Sequence, residues 1–154
     1  MLSRAVQDAV WDVIMVGFNL LNQSARERVL AITQQNGIGT LCMFAVRRAL
    51  SQPEALQELL GELMAQGLLD KGELDQNASD PIGFLMAGGV ASSLPEAAYR
   101  FCRWEPGMDI VLSGTGNIDH LNANAAALSR PPLPAQITAR LQRLFARVDT
   151  VSGN

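Results

Sequence analysis

The sequence predicts an α/β fold built on a parallel sheet. Three short apolar runs alternate with three amphipathic segments, and each segment begins with a Ser that is followed three residues later by a Glu. Short runs without polar alternation are typical of strands buried on both faces, as in parallel sheets. Regular alternation of strands with helices is the βαβ arrangement. The 154 residues have the length of one domain of roughly 100–200 residues.

Each predicted element follows from a local signal. A first helix is expected at 2–11, with Leu2, Val6, Ala9 and Val10 on one side. The three strands are expected at 13–18, 39–46 and 109–112. Each of the three amphipathic helices opens with a capping box, in which the Ser oxygen accepts a backbone N–H and the Glu reaches back. These boxes are Ser24-x-x-Glu27, Ser51-x-x-Glu54 and Ser93-x-x-Glu96.

The remaining segments complete the helical layer. Residues 70–80 are acidic and turn-rich, which predicts a surface loop, and residues 81–91 are assigned to the helical layer. A further helix begins near Asn117 or Ile118. After the Pro-rich turn at 130–134, a last amphipathic helix is expected. Its apolar residues are Ile137, Leu141, Leu144 and Phe145.

Composition excludes several classes of function. Twelve Lys and Arg against fifteen Asp and Glu leave no basic footprint for a nucleic acid. No apolar run approaches the roughly 20 residues that span a bilayer, and the start lacks a signal-peptide core. Cys42 and Cys102 form no C-x-x-C motif, so both are expected to be reduced core residues of a cytoplasmic protein.

A parallel sheet of only three strands leaves two bare edges of unpaired N–H and C=O groups. Natural chains usually close or cover such edges. The sequence therefore predicts part of a larger sheet, whose missing portion comes from an N-terminal half or from self-association.

The best candidate for a binding site is the turn after the third strand. Ser113, Gly114, Thr115, Gly116 and Asn117 join that strand to the next helix, and a helix N-terminus with nearby glycines can bind an anion. The alternative is a tight turn with an Asn cap and no ligand. A Rossmann fingerprint is excluded, because the third glycine would fall at position 119, where Asp stands.

Other candidates are weaker. His120, the only histidine, is placed to meet a ligand anion or else is a plain surface residue. A hydrolase site is excluded because Val111 occupies the first glycine position of G-x-S-x-G around Ser113, and one His with two separated Cys gives no metal site.

The pairs Phe18-Asn19 and Met43-Phe44 end the first two strands, where ligands of parallel sheets bind, although core packing is the commoner role of such aromatics. Arg47 and Arg48 could meet a phosphate or form a solvated pair.

Three motifs resemble the aldo/keto reductase family. Residues 12–23 are similar to its "fDvvQ-x-x-yNll" segment, residues 38–41 to its "iGv-x-a-ysPL" strand, and Gly114-Thr115-x4-His120-Leu121-x2-Asn124 to its "pGT-x4-HL-x2-N" signature. The family fold is a (β/α)₈ barrel of about 250 residues. The resemblance implies that residues 1–154 form a single incomplete domain: the last three βα units of a partial TIM barrel, with parallel strands plus a C-terminal helix.

The resemblance also implies a cofactor, NADP(H) or NAD(H), and a small carbonyl substrate for the complete enzyme. The cofactor phosphate would lie on the turn at 113–117, with His120 close to it. Asn124 would face the adenine, and Phe18 and Asn19 would lie near the nicotinamide.

Two departures from the family pattern matter. The family glutamine that bonds the nicotinamide falls at Met15, and its ring-stacking aromatic falls at Met43, with Phe44 next to it. The family's catalytic Asp, Tyr, Lys and His belong to earlier strands, so this chain is expected to hold no catalytic residue and to be inactive alone. The alternative function is a non-catalytic partial barrel that assembles with itself or with a partner chain.

Overall fold

A computed structural model describes residues 2–8, 10–75 and 80–149. The described residues contain three strands and six helices, and a π-helical turn at Arg26–Leu30 leads into the second helix. The elements, in chain order, are α1 (Leu2–Asp8), β1 (Val13–Gly17), α2 (Ala31–Asn36), β2 (Gly39–Met43), α3 (Pro53–Ala65), α4 (Leu94–Arg103), β3 (Ile110–Val111), α5 (Ile118–Leu128) and α6 (Ala135–Leu144).

The three strands form one parallel sheet in the order β1-β2-β3. In the register of the sheet, Leu41 lies between Met15 on β1 and Ile110 on β3. The predicted α/β class and the three parallel strands are confirmed. The strands are shorter than the apolar runs, since β2 ends at Met43 and the chain turns sharply at Phe44.

Only one face of the sheet is buried. Ile14 and Val16 on β1 face the helices and are 6% and 1% exposed, whereas Val13 and Met15 are 53% and 45% exposed. Ile110 on β3 is also 53% exposed. The prediction that the strands are buried on both faces is therefore wrong for the described residues. Alternate side chains of a strand point to opposite faces, and the buried core of this chain lies on one of them.

One of the three predicted capping boxes is confirmed for its Ser cap but not for the return bond of its Glu. The Ser93 hydroxyl accepts a hydrogen bond from the N–H of Glu96 at 3.3 Å, while the Glu96 carboxylate accepts from the N–H of Ser92, one residue before the expected donor. The other two are wrong. Ser24 donates to Asn22 Oδ1 at 2.7 Å and Ser51 donates to the carbonyl of Arg48 at 3.1 Å, so neither hydroxyl caps a helix.

Two further segments differ from their predictions. The first helix ends at Asp8, and Val10 and Trp11 beyond it are 73% and 54% exposed, so among the described residues of its predicted apolar side only Val6 is buried. Ala9 lies outside the described residues, as does part of the acidic loop, 76–79. Residues 81–91 contain two 3₁₀ turns, Gly83–Leu85 and Ala87–Gly89, and Phe84 and Leu85 pack into the core.

The last helix is confirmed, with Leu141, Leu144 and Phe145 all 0% exposed.

A charged pair on α4 anchors two loops. Arg100 and Glu96 are each 6% exposed, and Arg100 Nη1 lies 2.9 Å from Glu96 Oε1. Arg100 also donates to the carbonyl oxygen of Val90 at 2.5 Å, in the loop before α4, and to those of Pro131 at 2.9 Å and Pro132 at 3.1 Å, in the turn before α6. Burial raises the pKa of Glu96, but the hydrogen bonds from Ser92 and Arg100 outweigh it, so that pKa lies below its usual value.

The turn into β3 makes a close backbone approach. Gly107 has a φ of 79°, and a Cβ there would lie 2.9 Å from the carbonyl oxygen of Leu30. Thr40 on β2 fixes the same turn, because its hydroxyl donates to the Gly107 carbonyl at 2.6 Å. The Thr40 N–H also donates to Asp109 Oδ2 at 2.8 Å. This turn sets where β3, and the loop beyond it, can begin.

The two cysteines lie next to each other between β2 and α4. Both are free and 0% exposed, and the Sγ atoms of Cys42 and Cys102 lie 3.2 and 3.6 Å from the carbonyl oxygen of Phe18. Burial raises the pKa of the Cys102 thiol well above its usual value, and the neighbouring Cys42 thiol raises it further. The prediction of reduced core cysteines agrees with this placement.

Among the described residues, no helix combines the length and the apolar character needed to cross a membrane.

Candidate functional site

The loop between β3 and α5 is exposed, and its last residue, Asn117, caps the N-terminus of α5. The Asn117 Oδ1 accepts from the N–H groups of Asp119 at 2.8 Å and His120 at 3.3 Å. The Thr115 Oγ1 accepts from the N–H of Asn117 at 3.1 Å. The predicted Asn cap is thus present. It uses two of the N-terminal amides of α5. Residues 114–117 are all exposed, and a Cβ at Gly114 or Gly116 would have no atom within 4 Å.

A three-residue polar cluster holds the start of this loop. Ser113 Oγ lies 3.0 Å from the Tyr99 hydroxyl on α4 and accepts a hydrogen bond, also 3.0 Å, from Asn124 Nδ2 on α5. Tyr99 is 5% exposed. Because α4 and α5 both bond to one hydroxyl, the position of Ser113 is fixed relative to both helices.

A shallow cavity of about 440 Å³ lies beside this cluster, at the carboxyl ends of β2 and β3. Ligand sites of parallel α/β folds lie at this edge. Its lining residues come from the ends of β2 and β3 and from α4; they are Met43, Phe44, Ala45, Val46, Tyr99, Leu112, Ser113 and Gly114.

Phe44 gives this edge an exposed aromatic ring. Its φ is 68°, a left-handed conformation that is costly for a bulky residue, and its side chain is 43% exposed. Asn19 Nδ2 donates to the Phe44 carbonyl at 3.1 Å, and the guanidinium of Arg47 lies 4.1 Å from the centre of the ring. The strained backbone is therefore held by a side chain from the end of β1.

Phe18 and Asn19 are both buried. Phe18 is 1% exposed, and its ring stacks on Phe101 with centroids 5.8 Å apart. Asn19 is 2% exposed and accepts from the N–H of Leu21 at 3.0 Å and of Asn22 at 2.8 Å. In the described chain both side chains are engaged in packing and turn formation at the end of β1, and their predicted place near a nicotinamide stays a prediction.

The predicted residues of the third-strand loop lie together, and one further residue joins them. Ser113 through Asn117, His120 and Asn124 occupy one loop and one exposed helix face, although Asn124 turns its amide towards Ser113. Sequence reasoning did not assign Tyr99 to the site. Its single signal is that it is the only tyrosine, on the helix that precedes β3.

Charge is sparse within this loop and the helix that follows it. Between residues 112 and 129 there is no Lys or Arg, and the only carboxylate is that of Asp119. The His120 side chain is exposed. Arg48, predicted as a possible phosphate ligand, donates to Gln52 Oε1 at 3.2 Å. The described residues contain no group of three or more His, Cys, Asp or Glu that could hold a metal ion.

A larger cavity of about 650 Å³ lies elsewhere, between the π-helical turn and α6. Its cations already have partners within the chain. Arg26 donates to Glu105 at 2.8 Å, Arg28 lies 3.3 Å from Asp149, and Arg143 is bonded to Glu73. None of the residues that line this cavity is among the predicted cofactor-binding residues.

Comparison with known proteins gives a consistent result. The sequence profile of the aldo/keto reductase family matches residues 3–146. The fold is similar to that of the aldo-keto reductase AKR11C1 from Bacillus halodurans. The TM-score is 0.59 with 19% identity for both its apo and its holo forms. The match covers 98% of this chain but only 50% and 49% of those chains, so this chain spans about half the length of these reductases. No curated protein matches the chain.

Proposed function

Because the chain belongs to the aldo/keto reductase family, we propose that it is the C-terminal, cofactor-binding part of a nicotinamide-dependent reductase of aldehydes or ketones. The supporting observation is the exposed β3–α5 loop beside a cavity at the carboxyl edge of a parallel sheet. In this proposal the chain forms the last three βα units of a barrel. The remaining strands come from a further segment or chain.

The residues of this edge suit the adenosine and pyrophosphate portion of a dinucleotide. Gly114 and Gly116 have no atom within 4 Å of a hypothetical Cβ, so a ligand can approach their backbone closely. The Tyr99–Ser113–Asn124 cluster holds the start of the loop in place, which lowers the entropic cost of binding. The exposed ring of Phe44 can stack on a planar base.

A bound reduced nicotinamide supplies the hydride that reduces the carbonyl. This chain's contribution is to bind and orient. Met15, at the position of the family glutamine, has no group that could bond a carboxamide, and no residue that the resemblance maps onto this chain is a general acid. We therefore propose that the catalytic Asp, Tyr, Lys and His lie outside this chain.

The first test is cofactor binding by the chain. Titration of NADH and NADPH, followed by nicotinamide fluorescence, should show saturable binding. The combined variant Thr115→Ala, His120→Ala should weaken it, since both residues border the proposed phosphate position. Ser51→Ala, at an exposed residue before α3, is the matched control and should bind normally. Absence of binding by the unmodified chain would refute the proposal.

The second test is catalysis. The purified chain, with its mass verified, should oxidise NADPH no faster than the buffer blank in the presence of aldehydes or ketones. Measurable, carbonyl-dependent oxidation would show that a general acid is present in this chain and would contradict the proposed division of roles.

A second candidate function is a non-catalytic partial barrel that assembles with itself or with a partner. The observation that favours it is the exposed apolar face of the sheet, which includes Val13, Met15 and Ile110. Sedimentation velocity over a range of concentrations distinguishes the cases. Concentration-dependent dimers would support self-assembly, and a compact monomer at all concentrations would exclude it.

A further inference from the structure

We propose that Arg47 binds a carboxylate of the carbonyl substrate, so that this site favours carbonyl compounds that carry a carboxylate. The inference rests on the proposed function and adds the substrate class, which that function leaves open. Three observations support it: a half-buried guanidinium that no carboxylate of the described residues pairs with, a strained backbone beneath it, and an apolar cavity beside it.

Arg47 differs from most arginines of the described chain in its partners. Its guanidinium lies 4.1 Å from the centre of the Phe44 ring, and it forms no ion pair with a described Asp or Glu. An aromatic ring attracts the cation, but it offers no oxygen to the five N–H donors. Those donors suit a carboxylate, which Arg can bind through two parallel hydrogen bonds. The described arginines that do pair with a carboxylate are Arg26, Arg28, Arg100, Arg130, Arg140 and Arg143.

The backbone of Phe44 fixes where this cation lies. Its φ of 68° is in the left-handed region, which is costly for a bulky residue. Asn19, 2% exposed, donates to the Phe44 carbonyl at 3.1 Å, and its own Oδ1 accepts from the N–H of Leu21 at 3.0 Å. Such strain persists only where the surroundings impose it, and it concentrates at sites that hold ligands. The ring, and with it the Arg47 guanidinium, is therefore held at the carboxyl edge of the sheet.

The cavity beside Phe44 supplies apolar surface and no charge. Its volume is about 440 Å³, and the described residues that line it include no Asp, Glu, Lys, Arg or His. Ala45 and Val46 line the cavity and directly precede Arg47 in the chain. Ligand sites are commonly apolar with a few polar groups that set orientation. A ligand with an apolar body and one anionic group therefore matches this edge of the sheet.

A carboxylate distinguishes such a ligand from its neutral counterpart. Hydrogen bonds between ionised partners are roughly twice as strong as neutral ones. A methyl ester of the same acid has nearly the same shape and fills the cavity as well, but it brings no charge to Arg47. The arginine should therefore tighten the binding of the acid and leave that of the ester almost unchanged.

The experiment is a ligand-observed NMR titration of the full chain at pH 7 and fixed ionic strength, with and without NADPH. The probes are 4-acetylbenzoate and its neutral methyl ester, both of which carry a ketone. The unmodified chain should bind the acid at least about tenfold more tightly than the ester. Arg47→Gln should weaken binding of the acid at least about tenfold and leave binding of the ester within about twofold. Because damage to the fold would weaken both ligands, this split isolates the contact with the carboxylate.

The matched control is Arg48→Gln, which removes the adjacent, exposed cation that donates to Gln52 Oε1 at 3.2 Å. It should leave both affinities within about twofold of the unmodified chain. Equal binding of acid and ester by the unmodified chain would overturn the proposal, as would binding of neither. Equal losses of acid binding in Arg47→Gln and Arg48→Gln would show that the acid responds to overall charge, and would overturn it as well.

A separate titration with NADPH tells this failure from a failure of the proposed function. If NADPH binds and 4-acetylbenzoate does not, the substrate class is wrong and the cofactor-binding function stands. If 4-acetylbenzoate binds through Arg47 and neither NADH nor NADPH binds, the carboxylate site stands and the reductase function is refuted. If Arg47→Gln weakens NADPH about tenfold and leaves the acid unchanged, Arg47 binds the cofactor, and the proposal is overturned.

Discussion

Arg100 joins three parts of the molecule through a single side chain. It bonds to Glu96 on its own helix, to the carbonyl oxygen of Val90 in the segment before that helix, and to those of Pro131 and Pro132 in the turn before α6. Planar guanidinium groups can serve several acceptors at once. The residue therefore fixes the path of the chain between α5 and α6.

Arg100→Ala is expected to lower the free energy of unfolding by about 3–5 kcal/mol, because it leaves the buried Glu96 carboxylate without its closest cation. Urea denaturation measures this. Arg103→Ala, on the exposed side of the same helix, should cost less than about 1 kcal/mol, since the Arg103 guanidinium lies over the exposed Trp104 ring, 5.4 Å from its centre. Equal costs for the two variants would show that the buried pair does not hold the turn.

Glu96 should make the fold sensitive to acid. Its pKa is lower in the folded chain than in the unfolded chain, so its charge stabilises the fold above the unfolded value of about 4.3. That stabilisation is lost as the pH falls through the lower folded pKa. In Glu96→Gln, stability should change less between about pH 5 and pH 3 than in the unmodified chain. Glu62→Gln, exposed on α3, is the control and should keep the original pH dependence.

At the scale of elements, the turn into β3 depends on one residue without a side chain. Gly107→Ala would introduce a Cβ 2.9 Å from the Leu30 carbonyl oxygen at a φ of 79°. The expected loss of stability is about 1–3 kcal/mol. Gly61→Ala, inside α3 with open space around it, should instead stabilise the chain by up to about 1 kcal/mol. Thermal unfolding of both variants gives the comparison, and a neutral Gly107→Ala would contradict the close approach.

The helix starts show what local sequence can and cannot predict. Ser93 caps α4 as its spacing with Glu96 indicates. Ser24 and Ser51 have the same spacing from a Glu. Their hydroxyl groups instead donate to nearby acceptors, Asn22 Oδ1 and the Arg48 carbonyl. A capping motif specifies a compatible hydrogen bond, and the conformation of the preceding loop decides whether it forms. At Asn117 the predicted cap does form, and its Oδ1 accepts from the N–H of Asp119.

At the scale of the whole molecule, the order of strands and helices follows from the sequence, whereas the exposure of one sheet face does not. The apolar character of Val13, Met15 and Ile110 predicted burial, and in the described chain these side chains face solvent. An apolar pattern predicts that a sheet face is packed against other residues. It does not say whether those residues belong to the same chain or to another one. For the same reason a motif predicts the candidate residues Ser113 to Asn124, which stay a prediction, whereas no local pattern indicates that Tyr99 contacts Ser113 across the fold.

The exposed face should bind apolar probes in the native state. The native chain is expected to enhance the fluorescence of an anilinonaphthalene dye, because contiguous apolar surface is accessible. Met15→Lys, in the middle of the face, should reduce this enhancement by at least about half and weaken any self-association. Val10→Lys, at a 73% exposed residue outside the sheet, is the control. Equal dye binding by both variants would show that the dye binds elsewhere.

The adjacent cysteines have a practical consequence for kinetics. The chain contains two thiols in all, and both lie at the junction of β2 and α4 with no exposed surface. A thiol reagent can reach them only when the sheet separates from that helix, so the rate of labelling reports the rate of that opening event. The two native thiols can therefore be used to measure how fast the sheet separates from α4, and no cysteine has to be introduced.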